Sequence, residues 1–232
     1  MQTHRPPHIH PDTSVIFLTG RTYSGISWLH PEKTKEYFYS KLFEILPKYK
    51  LELDAWVICN NHHHLLLRVP DGKQIPKFVK HLHGSTAHHI KQSLPNIVNG
   101  EQILTREITP WDIRQTRRIN SANTNNAIAK PSKNNVIANF NSRLYDPKVI
   151  ALLKAKDPPI WYQYMDHVIR NDEDYYKHLN YIHQNPVKHG YTQKMTKYKW
   201  SSIHEWTKDK GKEFVVDCFK SYSIIDFEPV AD

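Results

Sequence analysis

The sequence predicts an α+β fold: an antiparallel sheet with helices packed on one face, plus a flexible insertion. Three observations carry this expectation. Apolar runs at residues 51–59 and 62–69 flank the turn pair Asn60-Asn61 and read as an antiparallel hairpin. One-sided apolar stripes of helical period stand before and after that hairpin. An Asn-rich stretch, residues 120–143, is poor in large apolar side chains and divides the chain before a last strand-like run at residues 160–169.

The elements follow in order. Residues 15–19 form a short apolar first strand. Pro31 opens a helix, because proline is tolerated at the first helical position, and Phe38, Leu42, Ile45, Leu46 and Tyr49 supply its stripe. The hairpin strands come next, the second stopped by Pro70-Asp71-Gly72. Residues 75–94 form a second helix with Ile75, Phe78, Val79 and Leu82 on one face, and Pro95 is expected to end it. With the strand at 160–169, the order is strand, helix, strand, strand, helix, strand, the split βαβ or ferredoxin-like arrangement. Asn171 then caps a helix whose first turn holds Asp172, Glu173 and Asp174, matching the helix dipole. Pro186 disfavours helical geometry at the residue before it, which puts the expected end near Gln184 or Asn185. The expected organisation is a disordered tail (1–12), a single domain built from 13–95 and 160–206, an insertion (96–159) carrying Arg114, Arg117 and Arg118, and a C-terminal tail (207–232) that pattern alone does not place.

Composition narrows the partners. Among 232 residues, Lys and Arg number 32 against 23 Asp and Glu, a net charge of +9. That balance points to a polyanion, with nucleic acid the usual one, or to a generally basic surface. Two cysteines, Cys59 and Cys218, exclude a disulfide framework and a Cys-rich zinc site. No apolar run approaches the ~18 residues a membrane span needs, and residues 1–11 lack the apolar core of a signal peptide. A soluble cytoplasmic protein is the expectation.

Two clusters carry chemistry. In the run Asn61-His62-His63-His64-Leu65, strand alternation sends His62 and His64 to one face and His63 to the other, beside Leu65 and Leu67. Such an imidazole pair suits a metal ion, or reflects the enrichment of a chain with 16 histidines. In the second cluster, Tyr181 and Asn185 are i and i+4 neighbours on one helix face, a polar stripe continued by Asp174 and His178. Tyr175, Leu179 and Ile182 form the stripe expected to dock the helix, leaving Tyr181 away from the docking face. Beyond it, Lys188, His189, Lys194, Lys197 and Lys199 alternate with Tyr191, Tyr198 and Trp200. This is either a nucleic-acid surface of basic and stacking groups or a solvated basic segment with core aromatics.

Asn61-His62-His63-His64, with Tyr181-Ile182-His183-Gln184-Asn185-Pro186-Val187-Lys188-His189-Gly190, resembles the REP-associated tyrosine transposases, relatives of the single-tyrosine HUH transposases. Asp166-His167-Val168-Ile169-Arg170 and Trp200-Ser201-Ser202 share that resemblance, which covers roughly residues 15–94 and 160–206. It implies a ferredoxin-like fold, Tyr181 as nucleophile, and a divalent metal ion (Mg or Mn) held by His62, His64 and Asn185. It also implies cleavage and rejoining of single-stranded DNA, in palindromic hairpins, through a 5′-phosphotyrosine, by a monomer or homodimer. Lys188, His189, Tyr191, Lys194, Lys197, Lys199, Trp200 and Arg170 are the expected DNA contacts. One departure is His63, where the family has a hydrophobic residue; its replacement by Leu is expected to leave the site intact and to stabilise an apolar face. A domesticated, non-catalytic hairpin-binding protein and a zinc hydrolase with a water nucleophile are the rival readings.

Overall fold

The computed structural model describes residues 10–99 and 155–222, with the side chains of 94–99 outside the description. The expected insertion falls outside the described residues except at its two ends. Its three arginines and the Asn-rich run lie outside too, as do residues 1–9 and 223–232.

Four strands form one antiparallel sheet: β1 (Ser14–Thr22), β2 (Glu52–Ile58), β3 (His62–Val69) and β4 (Trp161–Val168). Their spatial order is β2-β3-β1-β4. With α1 (Glu32–Ile45) between β1 and β2, and α2 (Gln74–Asn99) between β3 and β4, this is the split βαβ arrangement. The hairpin closes tightly, since the Cys59 amide donates to the His62 carbonyl at 2.9 Å. The β1–β3 ladder runs without a break from Ser14 opposite Val69 to Arg21 opposite His62. No bulge re-aims the histidines.

One face of the sheet carries Ile16, Leu18, Trp56, Ile58, Leu65 and Leu67 against Phe38, Leu42 and Ile45 of α1 and Ile75, Phe78, Val79 and Leu82 of α2. The expectation of helices on one face holds for this pair. The opposite face is also covered. Phe17, Val57 and Leu66 pack there against Leu179, Tyr181 and Ile182 of α3 (Asp172–Lys188), together with Cys218. β3 is buried along its length except at Arg68, and a strand with apolar groups on both faces requires a layer on each. After α3 come α4 (Ile203–Lys210) and α5 (Lys212–Ser221). The part of the C-terminal tail up to residue 222 is therefore structured, and Asn180 of α3 binds it by donating to the carbonyls of Cys218 and Tyr222.

Both prolines expected to end helices lie inside them. α2 runs through Pro95 to Asn99, and α3 runs through Pro186 to Lys188. At Pro186 the packing overrides local preference: Asn185 and Pro186 are both buried, and the amide of His189 still donates to the Asn185 carbonyl.

β1 shows one close approach. Gly20 stands opposite His63, and a Cβ there would run into the Nε2 atoms of both His63 and His83. His63 Nε2 meets His83 Nε2 at 2.8 Å within this face of the core, and the His83 ring stacks on Trp161 at 4.0 Å.

Candidate active site

The site lies on the α3 face of the sheet. Strand alternation sends His62 and His64 there, while His63 lies on the other face against Phe38, His83 and Trp161. The rings of His62 and His64 are 5.0 Å apart. From α3, Asn185 places Oδ1 3.0 Å from His62 Nε2, and the Tyr181 ring lies 5.1 Å from that of His64. Residues more than a hundred positions apart thus meet because α3 lies across β3.

Each histidine is held by its outer nitrogen. Thr19, opposite His64 in the β1–β3 ladder, puts its hydroxyl 2.8 Å from His64 Nδ1. Asn61 Oδ1 stands 2.6 Å from His62 Nδ1, and its orientation is set because Asn61 Nδ2 donates to the Gly25 carbonyl. Asn61 Oδ1 can only accept, so His62 Nδ1 carries the proton. Burial, with the neighbouring His189, holds His62 well below the usual histidine range; burial, with His62, does the same for His64. A neutral His62 with its proton on Nδ1 has a bare Nε2. That lone pair faces a carbonyl oxygen of Asn185, and the buried Nε2 of His64 has no partner among the described residues. Three acceptors converging in a buried place suit a cation, and the contacts to Nδ1 are the outer bonds that orient metal-binding histidines.

Tyr181 does not point away from the docking face. It is buried in the same cluster as Leu179 and Ile182, edge-on to Phe17 at 5.9 Å, with Lys188 Nζ 5.0 Å from its ring centre. The polar stripe of α3 is itself buried: Asp174, His178, Tyr181 and Asn185 all face inward.

A second group lies at the start of α3. His167, Asp174 and His178 bring their ligand atoms within 4.8 Å of one another, a set able to hold a metal ion. Here the Asp174 carboxylate accepts from His167 Nε2 at 2.9 Å and from the backbone and side chain of Arg170 at 3.2 Å. His178 Nδ1 lies 2.7 Å from the Asp174 carbonyl.

The residues expected to contact DNA divide. His189 packs against His62 at 4.7 Å and continues outward through Tyr191 at 5.8 Å to Tyr198 at 5.7 Å, an aromatic row leading away from the site. Lys194 and Lys197 are exposed, and Arg170 is exposed but bound to Asp174. Trp200 is not available for stacking on bases: it is a core residue and its indole N–H donates to Glu32. Lys199 is paired with Glu32 above that indole. Sequence reading missed Thr19, Cys59 and Arg21. All three are placed by strand pairing or hairpin closure, and only the register could have named them; Arg21 is exposed directly opposite His62.

The family described as "Transposase IS200 like" matches residues 25–106, a stretch that includes both site histidines. Residues 25–106, about a third of the chain, are thus similar to that family. Tyr181 and Asn185 lie beyond that stretch. The chain is 42% identical over 52 residues to a Haemophilus influenzae protein with the provisional name REP-associated tyrosine transposase. It is 41% identical over 46 residues to an Escherichia coli REP-associated tyrosine transposase. These matches cover 22% and 19% of this chain, and it spans less than a third of either relative, 30% and 28%. A solved REP-associated tyrosine transposase, bound to a REP hairpin, aligns over 90% of this chain and 87% of its own at 15% identity and a TM-score of 0.48. No helix among the described residues is long and apolar enough to cross a membrane.

Proposed function

We propose that this chain cuts and rejoins single-stranded DNA, with Tyr181 as nucleophile and His62, His64 and Asn185 holding a divalent metal ion, Mg or Mn. The observation that carries the reading is the meeting of three convergent, buried acceptors with a tyrosine ring 5.1 Å from one of them. A tyrosine hydroxyl has an ordinary pKa near 10 and is a weak nucleophile at neutral pH. The bound ion supplies charge stabilisation at the phosphate. Lys188, over the Tyr181 ring, and Arg21, opposite His62, add positive charge beside the place a phosphate would enter. In the step itself the Tyr181 Oη–P bond forms and the P–O3′ bond breaks. The electron pair leaves with the 3′ oxygen, which takes up a proton, and the phenol proton passes to solvent. The products are a 5′-phosphotyrosine and a free 3′-hydroxyl. The phosphodiester energy is conserved, so another 3′-hydroxyl can reverse the reaction without ATP.

The substrate class proposed is hairpin DNA with a single-stranded flank. The aromatic row from His189 to Tyr198, bordered by Lys188, Lys194 and Lys197, offers stacking and phosphate contacts to such a flank. Incubation of the protein with a labelled hairpin oligonucleotide and Mn²⁺ is expected to give a covalent band on a denaturing gel. Tyr181→Phe should abolish that band while hairpin binding survives, because only the nucleophilic oxygen is lost. An adduct that persists in Tyr181→Phe assigns the nucleophile elsewhere. Binding without any adduct in the parent protein supports the non-catalytic reading instead.

A further inference from the structure

We propose that Cys59 is a positioning residue that fixes the side-chain amide of Asn185 with its oxygen toward the histidines. This rests on the reading of Asn185 as a ligand and extends it to how that ligand is oriented.

An asparagine amide can be turned over within the same space, exchanging Oδ1 for Nδ2, and only its hydrogen-bond partners decide between the two orientations. The choice matters at this site. With Oδ1 inward, the amide offers a cation its lone pairs. With Nδ2 inward, the amide donates to the bare Nε2 of His62 and blocks the place a cation would take. In the absence of a cation the second arrangement gains a hydrogen bond, so another group must oppose it.

Among the described residues, Cys59 is such a group. The Cys59 thiol donates to Asn185 Oδ1 at 3.0 Å, and both residues are fully buried. Asn185 Nδ2 is buried with no partner among the described residues, so nothing on its nitrogen side selects the orientation. Cys59 is also tied to the first ligand, since its backbone N–H donates to the His62 carbonyl at 2.9 Å. The hairpin closure that brings His62 into β3 therefore also aims the thiol at Asn185. A single donor at this point spaces the amide oxygen from His62 and leaves its remaining lone pair for the ion.

The test uses the full chain and Mn²⁺ binding followed by electron paramagnetic resonance and calorimetry. Cys59→Ala and Cys59→Val both remove the donor, Val with less loss of volume, and Cys59→Ser keeps one. Loss of an outer-shell partner typically lowers metal affinity by about 10- to 100-fold. Expected are a loss of about tenfold or more for Ala and Val, near-parental binding for Ser, and unchanged metal-free hairpin binding. Adduct formation in the Ala variant should return to the parental rate at saturating Mn²⁺, which a packing defect would not allow. Parental Mn²⁺ affinity in the folded Ala or Val variant, with Asn185→Ala impaired, overturns the role of Cys59 and leaves the ligand set standing. Equal losses in Ser and Ala overturn it as well. Parental affinity in Asn185→Ala overturns the ligand reading itself.

Discussion

His63 shows how far a single side chain can be read from sequence. Alternation assigns it to the face opposite His62 and His64, and its contacts with Phe38 and Trp161 lie there. The expectation that His63→Leu stabilises the protein does not survive its surroundings. His63 Nε2 is paired with His83 Nε2, so removing one ring strands the other in the core. His63→Leu alone should cost about 1–3 kcal/mol in urea unfolding. The double change His63→Leu with His83→Leu should recover part of that loss, and neither should raise the Mn²⁺ needed for cleavage. The pair also carries a pH dependence. Burial lowers His83 to about 3 from the ordinary 6.5. Below pH 6.5 the unfolded chain takes up a proton that the folded chain refuses, so this contribution is complete above pH 6.5 and is lost as pH falls toward 3. The slope is about 1.4 kcal/mol per pH unit for one such group. Urea denaturation between pH 7 and 4 should therefore show a flatter profile for the double variant than for the parent. An unchanged slope would place the acid sensitivity in other buried histidines, such as His183.

At the level of elements, legibility followed periodicity and failed at packing. β3 spans His62–Val69, the run that alternation and the Asn60-Asn61 turn define. The cap of α3 was equally plain, with Asn171 Oδ1 accepting from the Asp174 amide at 2.9 Å. Pro186 misled, because the rule for the residue before proline is local while Asn185 is held by contacts with Cys59 of the hairpin turn and His62 of β3. The site divides the same way. Sequence marked the tyrosine and the histidines, but Thr19 and Cys59 take their places from pairings across strands, where no local pattern points. The start of α3 offers its own test. Burial alone would raise Asp174, but hydrogen bonds from His167 and Arg170 outweigh it and hold the carboxyl at about 2. Its stabilising contribution is present above pH 3.8 and is lost as pH falls toward 2. Asp174→Asn keeps the shape but removes the charge that His167 and Arg170 share. It should lower stability by about 1–3 kcal/mol at pH 7, read by urea melts, and slow adduct formation by loosening the helix that carries Tyr181. An unchanged melt would mean that the Asn171 cap alone secures the helix.

On the scale of the whole molecule, the sheet is a partition between two unlike layers. The α1–α2 side is mainly apolar around the single His63–His83 pair, whereas the α3 side gathers several buried polar groups about the site. The chain as a whole carries a net charge of +9. If that charge meets DNA backbone, affinity for a hairpin oligonucleotide should fall steeply with salt, with a log–log slope set by the number of phosphates neutralised. Lys194→Glu should shallow that slope by about one to two phosphate equivalents, because the residue is exposed beside the aromatic row. Lys199→Glu should alter it less, since Lys199 is already paired with Glu32. Equal effects of the two changes in a fluorescence-anisotropy titration would argue against a path along that row.

Gly20 has a consequence for how this sequence can vary. The paired rings of His63 and His83 occupy the volume that any side chain at position 20 would need. Positions 20, 63 and 83 are therefore one unit of substitution, although 63 residues separate the first from the last. Alanine at position 20 would require the imidazole pair to shift or be replaced. Histidine between the two site histidines is thus tolerated through a vacancy on the neighbouring strand, and exchanging it should be neutral only along a path that refills that space.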